Sequence, residues 1–181
     1  MTPDGSVRNT CSRLGDQLID LIEARIDVAV RIGQPRDSAA VMRKLADNRR
    51  ILVASPTYLD GAGRPRTPHE AAGHLFLRYD DGSAPWRLQG PGDEVVELEA
   101  RCRLRADSGD IVNDWALAGY GIMMRSQVDV AAELGDGRLE RVLPHWRSGA
   151  APIYALFHSS RHLPTKVRAF VAALAERLEQ L

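Results

Sequence analysis

Cysteine is scarce: Cys11 and Cys102 are the only two in 181 residues. They lie far apart without CxxC spacing, which argues against a zinc knuckle or a redox pair, and both read as ordinary thiols. An excess of one charge is also missing, because 24 Lys and Arg balance 24 Asp and Glu. A domain that lives on DNA phosphates usually carries a basic surplus, so direct nucleic-acid binding by this chain is disfavoured. Long apolar runs are absent as well. No stretch approaches the roughly 18 apolar residues of a membrane span, and the opening MTPDGSVRNTCSRLG has no apolar core of signal-peptide length. The chain therefore reads as soluble and cytoplasmic, with no membrane partner.

The signatures of catalysis are missing too. There is no GxSxG elbow, no HExxH and no P-loop, and Gly119-Tyr120-Gly121 lacks the third glycine of a dinucleotide fingerprint. His158 and His162 are four apart, but the first ends an apolar strand-like run and no acidic residue lies between them, so a metal site is not indicated. Asp80-Asp81-Gly82-Ser83 has the composition of a turn. No catalytic residue, metal ligand or cofactor is expected, and an enzyme is the least favoured class.

What remains is ample for folding. A hydrophobic content of 44% can build one sizeable domain or two small lobes without staples, and no internal repeat or low-complexity tail interrupts it. Leu14, Leu18, Leu21 and Ile22 share a helical face, after which Ile26, Val28, Val30 and Ile32 alternate with Asp27, Ala29 and Arg31 as a strand closed by Gly33. Residues 51–54 form another strand. Thr67-Pro68-His69-Glu70 is a capping-box opening to a helix of one to two turns that Gly73 stops. Strands follow at 75–79, 86–88 and 95–105, the last with Leu98, Ala100, Cys102 and Leu104 on one face. A helix over 107–119 should turn Ile111, Val112, Trp115 and Ala118 inward, with Asp107 or Ser108 as its cap. Trp86 and Trp115 read as core residues. A strand at 122–124, a helix capped at Ser126 and ending at Gly135, and strands at 139–143 and 153–157 complete an α/β alternation. From Pro164 onward Val167, Phe170, Val171, Leu174 and Leu178 form the stripe of an amphipathic helix.

Five segments in order, DLIEARIDVAVRIG, RKLADNRRILVASPTYL, RPRTPHEAAGHLFL, LRADSGDIVNDWALAGYGIMM and LGDGRLERVLPHW, resemble the effector-binding domain of LysR-type transcriptional regulators. The resemblance spans the chain from about Leu14 and implies a periplasmic-binding-protein-like fold of type 2. Two Rossmann-like lobes would be joined by two crossover strands, near 53–56 and 153–157. Lobe one would comprise 1–55 plus 154–181 and lobe two 56–153. Against the family pattern, the N-terminal winged helix-turn-helix is absent from these residues, and the first strand-helix unit of lobe one has no convincing counterpart. Lobe one is thus expected to be N-terminally truncated.

Carried over to this sequence, the family's cleft nominates Arg31, Gly33, Ser55, Ser108, Gly109 and Asp110 as effector-binding residues. Arg31 would receive an anion through two parallel hydrogen bonds; an ordinary ion pair with Asp27 or Asp37 is the competing account. Ser108 and Gly109 open a helix whose free N–H groups suit a small carboxylate or phenol, although helix capping explains them equally well. The expected function is effector sensing transmitted to transcription by rearrangement of lobes and of a homodimer, with DNA reached only through a domain outside this chain. The alternatives are a truncated interaction module that pairs with related regulators without an effector, and, less favoured, a solute-binding protein.

Overall fold

The computed structural model describes residues 26–33, 41–79, 84–99, 101–157 and 163–179. The expected helix over 14–25, the 80–83 turn, His158, His162, Cys11 and Asp37 lie outside them. In chain order the elements are β1 (Ala29–Ile32), β2 (Val41–Ala46), β3 (Arg50–Ala54), α1 (Pro56–Ala62), α2 (Pro68–Ala71), β4 (Phe76–Tyr79), β5 (Trp86–Gln89), a 3-10 turn (Pro91–Asp93), β6 (Val95–Leu98), β7 (Cys102–Ala106), α3 (Gly109–Leu117), β8 (Ile122–Ser126), α4 (Ala131–Gly135), β9 (Glu140–Val142), β10 (Arg147–Ser148), β11 (Ile153–Phe157) and α5 (Thr165–Glu179).

These elements form two main sheets and a ribbon. The first sheet has the order β1-β11-β2, antiparallel throughout, with Val30 opposite Ala155 and Phe157 opposite Val41. Helix α5 covers one face, where Val167 and Val171 pack with Leu45, Ile153, Ala155 and Phe157. The second sheet has the order β7-β4-β8-β3-β9. In it β4 runs parallel to β7 and β8, whereas β3 runs against β8 and β9. Strands β3, β4 and β8 are buried on both sides, as their unbroken apolar runs ILVA, FL and IM require. Leu52, Phe76 and Ile122 point into one core with α1, α2 and the ribbon; Ile51, Val53, Leu77 and Met123 point into the other with Val112 and Ala116 of α3. The ribbon, β10-β5-β6, closes over the first of these cores through Leu88, Leu98 and Trp86, whose ring meets Phe76 edge-on at 5.1 Å.

Several expectations are borne out and several are corrected. The capping box at α2 forms: Thr67 Oγ1 accepts from Glu70 N–H at 3.2 Å, and the Glu70 carboxylate accepts from Arg66 N–H at 2.7 Å. Both tryptophans pack against cores. Residues 95–105, however, are two strands in different sheets, β6 pairing with β5 and β7 with β4. The alternating pattern hid the break, and Cys102 is exposed. Strand β2 went unread because Val41 to Lys44 are all exposed on a sheet edge, which leaves no inward-outward alternation. Ser126 does not cap α4; it ends β8, buried, and its hydroxyl is spent elsewhere in the fold. Ile111 and Ala118 of the α3 stripe face outward, as does Phe170 on α5 at 49% exposure.

The chain passes from the first sheet to the second at residues 47–49, leaving β2 for β3, and returns from the ribbon to the first sheet at 149–152, leaving β10 for β11. The first passage therefore precedes β3, several residues before the expected 53–56, because Arg50–Ala54 pairs with β8 and β9 as a strand of the five-stranded sheet. The second passage likewise precedes β11.

Candidate functional site

Strand direction decides which predicted site residues can meet. Strands β4, β7 and β8 all finish at one end of the five-stranded sheet, and β3 starts there, with Arg50 opposite Ser126. That end faces both passages: Gln127 N–H donates to Arg49 O at 2.9 Å, and Arg49 pairs with Ala150. Ser108, Gly109 and Asp110 follow the end of β7 and so lie here, as does Arg125 near the end of β8. From the other sheet, Gly33 also reaches the passages. It closes β1 at φ +84°, and its N–H donates to Pro152 O at 2.8 Å. Arg31 sits two residues earlier, half-buried, opposite Tyr154. Its candidate partner Asp27 accepts from Lys166 Nζ at 2.8 Å.

Ser55 is not brought to this group. It follows β3, which runs the other way, so it stands at the opposite end of the sheet, roughly 15 Å off at about 3.3 Å per strand residue. There it is buried and caps α1, its Oγ accepting from Tyr58 N–H at 3.4 Å. Ser55 and Ser108, both nominated by the family resemblance, thus stand at opposite ends of the sheet, because β3 runs antiparallel to β8.

At the end facing the passages, the chemistry centres on a residue that pattern reading passed over. Arg125 is 14% exposed, and its Nη2 lies 3.1 Å from Asp129 Oδ2. Its guanidinium carbon lies 6.0 Å from the Tyr79 ring centroid, in reach of the ring's negative face. Gly109 opens α3 directly against this guanidinium; a Cβ at position 109 would fall 2.8 Å from Arg125 Cζ. The glycine thus leaves room for the end of an arginine side chain, which any residue with a Cβ would displace. Ser108 occupies the N-cap position, yet its hydroxyl makes no capping bond. Among the described residues, Arg125 Nε and Asn113 Oδ1, one turn along α3 from Gly109, are buried without a hydrogen-bond partner. Buried polar atoms are normally satisfied, so a donor and an acceptor left over beside a helix N-terminus are unusual. The available signal was an arginine interrupting the buried apolar run GIMMRS.

Two other features are distinct from this group. A shallow cavity of about 370 Å³ at the opposite end of the sheet is lined by Tyr58, Ala62, Glu70, Gly73, His74 and Leu75. There Tyr58 Oη accepts from Leu75 N–H at 2.9 Å and faces His74 Nδ1 at 3.2 Å, and burial holds the His74 imidazole below its ordinary value. No group of three or more metal-ligating side chains occurs among the described residues, and no described helix is long and apolar enough to cross a membrane.

A two-sheet α/β fold crossed twice by the chain, with polar groups gathered at the strand ends beside the crossings, is an arrangement of the periplasmic-binding-protein type, in which open sheets offer a crevice at their strand ends. The LysR substrate binding domain family matches residues 11–179, and the chain belongs to that family. It is 40% identical over 164 residues to the HTH-type transcriptional regulator PtxR of Pseudomonas aeruginosa, covering 90% of this chain and 53% of that protein. It is 35% identical over 170 residues to the HTH-type transcriptional activator TtdR of Escherichia coli, covering 92% and 54%. The chain thus spans about half the length of the curated relatives it matches. Among solved structures, the regulatory domain of CrgA, a LysR-type transcriptional regulator from Neisseria meningitidis, superposes with a TM-score of 0.76 at 30% identity, covering 90% of this chain and 80% of that domain. The family is regulatory rather than enzymatic.

Proposed function

We propose that this chain is the effector-sensing part of a cytoplasmic LysR-type transcriptional regulator, and that its effector is a small anion, a carboxylate or a phenolate, held between the two sheets. The carrying observation is the convergence of Arg125, Tyr79 and the N-terminus of α3 at the sheet end that faces both chain passages. Arg125 supplies a fixed positive charge whose Nε has no partner among the described residues, and the first turn of α3 supplies N–H groups and the positive end of a dipole. Ser108, Gly109 and Asp110 form this wall; Gly33 and Arg31 belong to the opposite wall, on the three-stranded sheet. In this reading lobe one is that sheet with α5, and lobe two is the five-stranded sheet with its ribbon.

An effector that binds one lobe orientation better than the other shifts the equilibrium between them by its difference in affinity. Homodimers of effector domains would carry that shift to DNA-binding domains of the kind the relatives' names record. A thermal-shift screen of the purified chain against small carboxylates and phenols tests the reading. At a free concentration about 100 times the Kd, a binder raises stability by about 2.7 kcal/mol. Arg125→Gln should remove that gain while Ser55→Ala keeps it. If no compound stabilises the chain, or if Arg125→Gln responds as the parent does, the anion site is wrong; the first outcome would favour an interaction module that pairs with related regulators without an effector.

A further inference from the structure

We propose that Asn48 is the pin that fixes the orientation of the two sheets, and that Ser126 ties this pin to Arg125. Asn48 is 7% exposed and lies in the first passage, residues 47–49. Its backbone O accepts from Ala151 N–H at 2.8 Å, and its Nδ2 donates to Ala151 O at 2.9 Å, so it grips the second passage on both sides of one peptide residue. Its Oδ1 accepts from Ser126 Oγ at 3.0 Å, which adds the end of β8 to the same joint. One buried amide therefore bonds segments 78 and 103 residues away in sequence. Neighbouring bonds reinforce the position: Arg50 N–H donates to Ser148 Oγ at 3.0 Å and Gln127 N–H to Arg49 O at 2.9 Å.

The chemistry suits a joint with discrete settings. A buried amide cannot drift away from its partners gradually, because each bond broken without replacement leaves a desolvated group exposed to an apolar interior. The lobes are thereby held in one arrangement until a complete exchange of partners becomes favourable, which is how hinge segments separate two states. A cavity of about 200 Å³ beside the joint, bordered by Asn48, Arg49, Gln127, Val128 and Leu178, gives the passage room to move.

Strand geometry links this joint to the proposed anion site. Successive residues of β8 point to opposite faces, so Arg125 reaches the start of α3 while Ser126 reaches Asn48. A displacement of Arg125 is then a displacement of the strand end that Ser126 shares. This coupling rests on the effector reading of the preceding subsection; the pin itself does not.

The pin is tested without ligand, by measuring the distance distribution between spin labels at position 168 on α5 and position 97 on β6, both exposed, in the full chain carrying Cys11→Ser and Cys102→Ser. The parent should give a narrow distribution. Ser126→Ala and Asn48→Ala should broaden it and move its mean, while Tyr58→Phe, which weakens the fold far from the joint, should leave it unchanged. A parent distribution that is already broad, or a folded Ser126→Ala chain that superimposes on the parent, overturns the proposal. Should Asn48→Ala fail to fold, the milder Ser126→Ala still decides. A ligand screen that finds nothing does not touch this result.

Discussion

Where β4 and β8 begin, the polar groups below the surface are neutral and matched: Ser55 caps α1, and Tyr58 takes the Leu75 N–H while it meets His74. Where the same strands finish, an arginine is held almost out of water with one carboxylate, and Arg125 Nε and Asn113 Oδ1 are left without hydrogen bonds among the described residues. The two ends are a strand length apart on the same sheet, so they differ in how their polar groups are matched. The first end closes the fold. The second keeps unmet polar capacity beside the segments that join the sheets, at the cost of stability.

The largest effect expected from this contrast comes from two glycines that both lack room for a Cβ. At Gly121 a Cβ would sit 2.5 Å from Leu75 O, a carbonyl already accepting Ile122 N–H, so the backbone pairing of β4 and β8 must give way. Gly121→Ala should cost about 3 kcal/mol in chemical denaturation. At Gly109 the obstacle is the far end of a flexible side chain, Arg125. Gly109→Ala should therefore stay within about 1 kcal/mol of the parent but push the guanidinium aside and abolish stabilisation by any effector found. Equal losses for the two variants would break the distinction between a structural and a functional end.

A smaller effect isolates the matched end. Tyr58→Phe leaves the Leu75 N–H and the imidazole Nδ1 without their shared hydroxyl, and half-burial brings the expected loss to about 1–2 kcal/mol. Effector response should survive, because Tyr58 belongs to the end away from the passages. A lost response with retained fold would show that the two ends communicate through the sheet, and would sharpen the comparison in the opposite direction.

Much of this architecture was legible because local rules and packing agreed. The box Thr67-Pro68-His69-Glu70 formed where its chemistry demanded it, and the buried runs of β3, β4 and β8 had no other place than a covered sheet. Less legible were features that depend on strand direction or on an edge. Strand β2 presents Val41, Met42, Arg43 and Lys44 to solvent, so no period could reveal it. Ser55 and Ser108 each stand at the start of a helix after a strand, and only the antiparallel run of β3 against β8 puts them at opposite ends. Arg125 was hidden by its surroundings: within an apolar strand it looks like a strand terminus, and its meaning comes from Gly109, sixteen positions earlier, whose missing side chain makes space for it.

The smallest expected effect is a pH dependence, and its sign follows from His74. With Leu75 N–H donating to Tyr58 Oη, we assign the tyrosine's own proton to its bond with His74 Nδ1, which makes that atom the unprotonated nitrogen of a neutral ring. Burial lowers the imidazole below the ordinary value of about 6.5. The unfolded chain consequently binds a proton at this site more readily than the folded one. Stability from His74 is complete above the ordinary value and declines as pH falls through it toward the lowered folded value. Because the ring is only half-buried, the decline should be modest. Urea titrations of the parent and of His74→Gln at a series of pH values from neutral to mildly acidic isolate it from the other histidines. The parent should lose more stability than the variant over that interval. A parallel decline in both would mean that the Tyr58 bond does not select the neutral ring, and that the matched end tolerates charge as readily as the end that holds Arg125.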